Sequence, residues 1–183
     1  MLTPEQKQTL LRIARQAVAA AARGRAYVPS CEDAVLRRPA AVFVTLHKGG
    51  ELRGCIGMVE PVAPMDEAVA DMARAAACDD YRFDPVKPQE VDGLRLEVSV
   101  LTPAEPVQNL GEIEVGVHGL IVEQGARRGL LLPQVAPEWG WDREEFLRHT
   151  CLKAGLPGDA WRKGAKILCF RAEVFGEETE MDK

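Results

Sequence analysis

The chain has 183 residues, 46% of them apolar, and a net charge of −5. That length fits one domain or one domain with a small lobe, with enough apolar material for a sizeable core. The acidic balance, without any Lys/Arg block, excludes a phosphate-tracking nucleic-acid surface and a polybasic membrane patch.

Thr3-Pro4-Glu5-Gln6 is a capping box with proline at the first helical position. Leu10, Ile13, Ala14, Ala17, Val18 and Ala21 follow at helical spacing, and Gly24 supplies the stop. A loop over 27–39 leads to a strand at Val42 to Leu46, then a Lys48-Gly49-Gly50 turn. The run LRGCIG, Leu52 to Gly57, comes next. A second helix is expected from about Pro64 to Cys78, with Met65, Val69, Met72 and Ala76 inward. Leu94 to Leu101 alternates as a strand does. Leu94, Leu96, Val98 and Val100 share one face, and Arg95, Glu97 and Ser99 share the other. Residues 102–111 read as a loop, Ile113 to Val122 and Gly129 to Leu132 as a strand pair, and Asp142 as the cap of a third helix ending at Gly155. Lys166 to Phe175 closes the chain as a strand, and the acid-rich residues from Gly176 onward are expected to fray. Short turns between strands make antiparallel neighbours, and no βαβ unit repeats. The expected class is therefore α+β: antiparallel sheets flanked by helices.

No stretch approaches 18 uninterrupted apolar residues, and no basic region followed by an apolar signal core opens the chain, so the expected location is cytoplasmic. Cys31, Cys55, Cys78, Cys151 and Cys169 are odd in number and read as free thiols.

Cys55 is the first candidate for chemistry. Gly54 and Gly57 have no side chains to cover it, so another backbone or a ligand can approach closely. Arg53 is two residues away, on the same face of a strand, where a cation favours a thiolate. The plainer reading is a small buried hydrophobe, with glycines that pack tightly on a helix. His118 sits between Val117 and Gly119, with Gly116 before them. It reads as a general base for Cys55, a substrate binder, or a hydrogen-bonded strand-end histidine. Glu114, four residues earlier, orients it only if the strand bends. Arg53 and Arg82 are suited to clamp a carboxylate or phosphate, and Glu97 and Ser99 to line a cleft. The alternative for these residues is one structural ion-pair network. His47, His118 and His149 share no ligand spacing, so neither metal nor cofactor is expected.

FVTL (43–46) with LRGCIG, then DYRF (80–83), LEVSVLTP (96–103), EVGVHGL (114–120) and LLPQVA (131–136) resemble, in order, the AMMECR-type domain. That family is named for the Alport syndrome, midface hypoplasia and elliptocytosis chromosomal region protein. The resemblance spans roughly residues 40–175 and departs at Asp84, where proline is common, and at Met58, where some members have threonine. It implies one domain over 1–183, two lobes around a cleft, and a smaller lobe drawn from part of 50–90. It implies no settled activity. Prokaryotic members look like protein A of a set with a Memo-like protein and a radical-SAM protein. Two readings follow: an enzyme using the Cys55 thiolate on a small anionic substrate, or a non-catalytic peptide- or protein-binding accessory module working with those partners.

Overall fold

The structure is a computed structural model and describes residues 1–177. Among the described residues it is an α+β fold of four α-helices and seven strands, built on antiparallel strand pairing. The chain divides into two compact units: Met1–Leu101 with the chain from Glu173, and Thr102–Ala172. Residues 50–90 belong to the first unit, and the smaller unit is Thr102–Ala172. Of the segment expected to fray, residues 178–183 lie outside the described residues.

In the first unit, helix α1 (Pro4–Ala21) opens with the expected capping box of Thr3 and Gln6. It buries Leu10, Ile13, Ala14, Ala17 and Val18. Helix α2 (Met65–Cys78) buries Met65, Val69 and a run of alanines whose small side chains let it lie close to its neighbours. Strands β1 (Ala41–Lys48), β2 (Glu51–Met58) and β3 (Leu94–Leu101) form a sheet with β1 in the middle. Val42, Val44, Leu46, Leu96 and Val98 are fully buried and share a core with α1 and α2. Each such side chain contributes roughly 1.5–3 kcal/mol of burial. The alternate residues Phe43, Thr45, Cys55, Gly57, Glu97 and Ser99 therefore occupy the sheet's other face.

In the second unit the predicted long strand from Ile113 is shorter. Residues 115–117 turn, and β5 begins at His118 (His118–Gln124). Gly116 makes that turn with φ +86°, a conformation that suits glycine. Strand β6 (Arg127–Leu131) pairs with β5, and β5 pairs with β7 (Lys166–Gly176), whose last residues belong to the first unit. The segment 102–111, expected as loop, holds a two-residue strand, β4 (Glu105–Pro106), paired with Cys169 and Leu168 of β7. Its brevity and its proline hide it from any periodicity. A short helix α3 (Val135–Trp139) was also not legible, because five residues carry too little pattern. Helix α4 (Arg143–Lys153) starts at the Asp142–Glu145 capping box, as expected. All five cysteines are free thiols. Among the described residues no helix is long and apolar enough to cross a membrane.

Candidate functional site

LRGCIG forms β2, which pairs with β1 on one side. Cys55 stands opposite Thr45, and its own N–H and C=O point away from β1. They do not meet a strand. The Cys55 N–H donates to Asp80 Oδ2 at 2.9 Å, and Arg82 Nη2 donates to the Cys55 carbonyl at 3.4 Å. Asp80 and Arg82 are themselves joined by a two-pronged ion pair, Nε to Oδ1 at 2.9 Å and Nη2 to Oδ2 at 2.7 Å. DYRF thus plugs the sheet edge at Cys55 with side chains where a partner strand would sit. Asp80 is 4% exposed. The Arg82 guanidinium holds its carboxyl far below the usual carboxylate range, so the plug is ionised.

The Cys55 side chain is half-buried, and its Sγ lies 3.3 Å from the Thr45 hydroxyl, which donates to it. Glu97 is opposite Thr45 on β3, so Cys55, Thr45 and Glu97 lie in one row across three strands. The next row is Gly57, Phe43 and Ser99. Ser99 is 4% exposed, so it is walled into that row, whereas Glu97 is half-exposed.

The glycines serve packing. A Cβ on Gly54 would sit 2.2 Å from the Ala76 carbonyl oxygen of α2, and one on Gly57 would sit 2.2 Å from the Phe43 ring. What approaches the backbone at Gly54 is therefore another backbone.

Arg53 departs from the simple strand geometry. A β-bulge falls between Leu46 and His47: Leu46 pairs with Gly54 and His47 with Leu52, leaving Arg53 as the extra residue. The Arg53 guanidinium reaches Glu90, Nη2 to Oε2 at 3.3 Å, and lies over the Phe83 ring at 6.0 Å. Arg82 flanks the same ring at 5.4 Å. Lys48, the Lys87 N–H and Arg53 together lower the Glu90 carboxyl to about 2. Arg53 Nη1 is buried without a hydrogen-bond partner among the described residues. The sequence signalled Arg53 and Arg82 but not Thr45, Asp80 or Glu90, whose roles depend on strand register and the end of α2. Thr45 had one visible cue, its alternation with Phe43, and Asp80 another, its place in DYRF.

In the second unit, Glu114 reaches His118 through its backbone rather than through its side chain. The turn at Gly116 brings the Glu114 backbone N–H to His118 Nδ1 at 3.1 Å, while the Glu114 side chain is not the orienting group. His118 pairs across strands with Arg171, whose Nε lies 3.3 Å from His118 Nε2. A cavity of about 320 Å³ opens here, lined by Thr102, Pro103, Glu105, His118, Cys169 and Arg171 with Phe170. Nothing local in β7 marks Arg171 as the residue opposite His118, or Cys169 as more than a free thiol.

The fold and the edge-plugged cysteine define an α+β protein of one recognisable kind. The family model described as AMMECR1 matches residues 11–175, and the chain belongs to that family. It is 49% identical over 186 residues to a protein of Methanothermobacter thermautotrophicus, covering 97% of each chain. It is 45% identical to a protein of Methanocaldococcus jannaschii, covering 97% of this chain and 92% of that one. The crystal structure of an uncharacterised Pyrococcus horikoshii protein is similar at TM-score 0.83 and 45% identity, covering 94% of this chain and 91% of that one.

Proposed function

We propose that the row Cys55–Thr45–Glu97 is a small-molecule site in which Cys55 acts as a thiol nucleophile toward an anionic acyl or phosphorylated substrate. The observation that carries this reading is the double hold on Cys55. Its backbone is fixed on both sides by the ionised Asp80–Arg82 pair, while its sulfur accepts from Thr45. A nucleophile held in one position gains from orientation. In the covalent step the S–C or S–P bond forms as the bond to the leaving group breaks. The thiol proton departs with the leaving group. Arg82, half-exposed, and the unpartnered Arg53 Nη1 are the donors for the substrate's negative charge. His118, whose Nδ1 accepts from the Glu114 N–H in its own unit, is not required for this chemistry.

The reading is tested by exposing the full chain to small acyl thioesters and acyl phosphates and weighing the intact protein. A single acyl adduct that maps to Cys55, disappears in Cys55→Ser and slows in Thr45→Val supports it. An adduct undiminished in Cys55→Ser sinks it.

One observation favours a second reading, an accessory module that docks Memo-like and radical-SAM proteins. Tyr81, beside the plug, is 95% exposed, and exposed tyrosines are frequent anchors of interfaces. On that reading Tyr81→Ala abolishes co-purification with such partners, and Cys55→Ser leaves it unchanged.

A further inference from the structure

We propose that the second unit carries an oxyanion-binding site formed by His118 and Arg171. It is separate from the Cys55 chemistry and does not rest on it. A neutral imidazole has one N–H and one acceptor nitrogen. The Glu114 backbone N–H has nothing to give up, so at 3.1 Å it obliges Nδ1 to be the acceptor. The ring proton is then on Nε2. The Arg171 Nε, also an obligate donor, lies 3.3 Å from that same Nε2. Two donors therefore face each other and neither satisfies the other.

The backbone enforces this arrangement. Gly116, at φ +86°, makes the turn that delivers the Glu114 N–H. The β5–β7 register sets His118 directly opposite Arg171. Thr102 pins the Arg171 backbone from both sides: the Arg171 N–H donates to Thr102 Oγ1 at 2.9 Å, and the Thr102 N–H donates to the Arg171 carbonyl at 2.8 Å. Among the described residues no carboxylate forms an ion pair with Arg171, whereas Arg53, Arg82 and Arg162 each have one. An acceptor between His118 Nε2–H and the Arg171 guanidinium resolves the conflict. The adjoining cavity of about 320 Å³ is within the range of small-ligand sites. The matching chemistry is an oxyanion, a phosphate or carboxylate group that accepts from the Arg fork and the imidazole N–H together.

Two other titratable groups face the cavity. Burial pushes the Cys169 thiol up, so it is a neutral wall. Glu105, opposite Cys169 on β4, is an exposed carboxylate and repels a simple anion. It acts as a selectivity group, preferring a ligand whose far end carries a donor or a positive charge.

The test titrates inorganic phosphate and, separately, acetate into the full chain. It follows the His118 ring nitrogens by NMR and binding by calorimetry. Before any anion is added, Nδ1 is unprotonated and Nε2 protonated. Saturable binding of either probe shifts the Nε2 signal, and which probe binds distinguishes a phosphate site from a carboxylate site. Arg171→Gln weakens binding by roughly tenfold or more, the loss expected for one charge-assisted contact. Glu105→Gln, an exposed change that leaves the fold intact, tightens it. An Nδ1-protonated ring, no saturable binding of either probe, binding undiminished in Arg171→Gln, or weaker binding in Glu105→Gln would each overturn the proposal.

Discussion

Gly54→Ala should destabilise the protein although it adds a single methyl group. Gly54 is buried on β2, and the new Cβ would lie 2.2 Å from the Ala76 carbonyl oxygen and 3.2 Å from its carbonyl carbon. Ordinary carbon–oxygen contacts begin near ~3.3 Å, so β2 and the last turn of α2 must part by about 1 Å. The obstruction is backbone, which cannot rotate away as a side-chain tip does. Gly54 is not among the positive-φ glycines, so the cost is packing alone. Overpacking of this kind costs about 1–3 kcal/mol. For a chain of this size each kcal/mol lowers the melting temperature by about 2–4 °C. Urea denaturation of the full chain measures it, with Gly93→Ala as the control. Nothing lies within 4 Å of a Cβ at Gly93, so that substitution should stay within about 0.5 kcal/mol of the parent. A Gly54→Ala protein that unfolds at the parental midpoint would refute the close approach of β2 to α2.

Asp80→Asn should cost about 1–3 kcal/mol by urea denaturation, since it weakens the buried acceptor for Cys55 and leaves Arg82 without its counter-ion; unchanged stability would show that the plug is not holding the strand. The Asp80 carboxyl of the plug and the Glu90 carboxyl beside Arg53 are both depressed in the folded state, Glu90 from 4.5 to about 2, so their stabilisation is complete above the unfolded-state value and fades as pH falls through the folded one. Melting temperatures should therefore hold near neutrality and fall steeply from about pH 4.5 downward, and the fall attributable to Glu90 should vanish in Glu90→Gln. Thr45→Val should slow alkylation of Cys55 several-fold, with little change in the melting temperature, because it removes the donor on Sγ and keeps the shape of the side chain.

Much of the architecture was legible because periodicity and caps are local. The capping boxes at Thr3 and Asp142, the inward stripe of α2 and the alternation of β3 each depend on residues within a few positions of one another. The candidate site was legible as motifs and not as geometry. LRGCIG announced Cys55, but the bulge that re-aims Arg53 arises from pairing with β1, which no local pattern encodes. The glycines flanking Cys55 pointed to a close approach without saying by what, since the partner Ala76 belongs to another element. Asp80 was visible within DYRF as a residue, yet its work on the Cys55 N–H exists only once α2 has returned the chain to the sheet edge. His118 was expected on a continuing strand. A single glycine at 116 converted that segment to a turn and replaced the Glu114 carboxylate with its backbone N–H.

The central claim is that Cys55 is a held, accessible and reactive thiol. Competitive labelling of the native protein with limiting iodoacetamide near neutral pH, followed by peptide mass spectrometry, ranks all five cysteines in one experiment. The account predicts that Cys55 is modified first. Cys78, Cys151 and Cys169, whose thiols burial pushes up, should lag, and the fully buried Cys151 should stay unlabelled until the protein unfolds. Labelling that begins at Cys31 or Cys78 while Cys55 stays protected would contradict it.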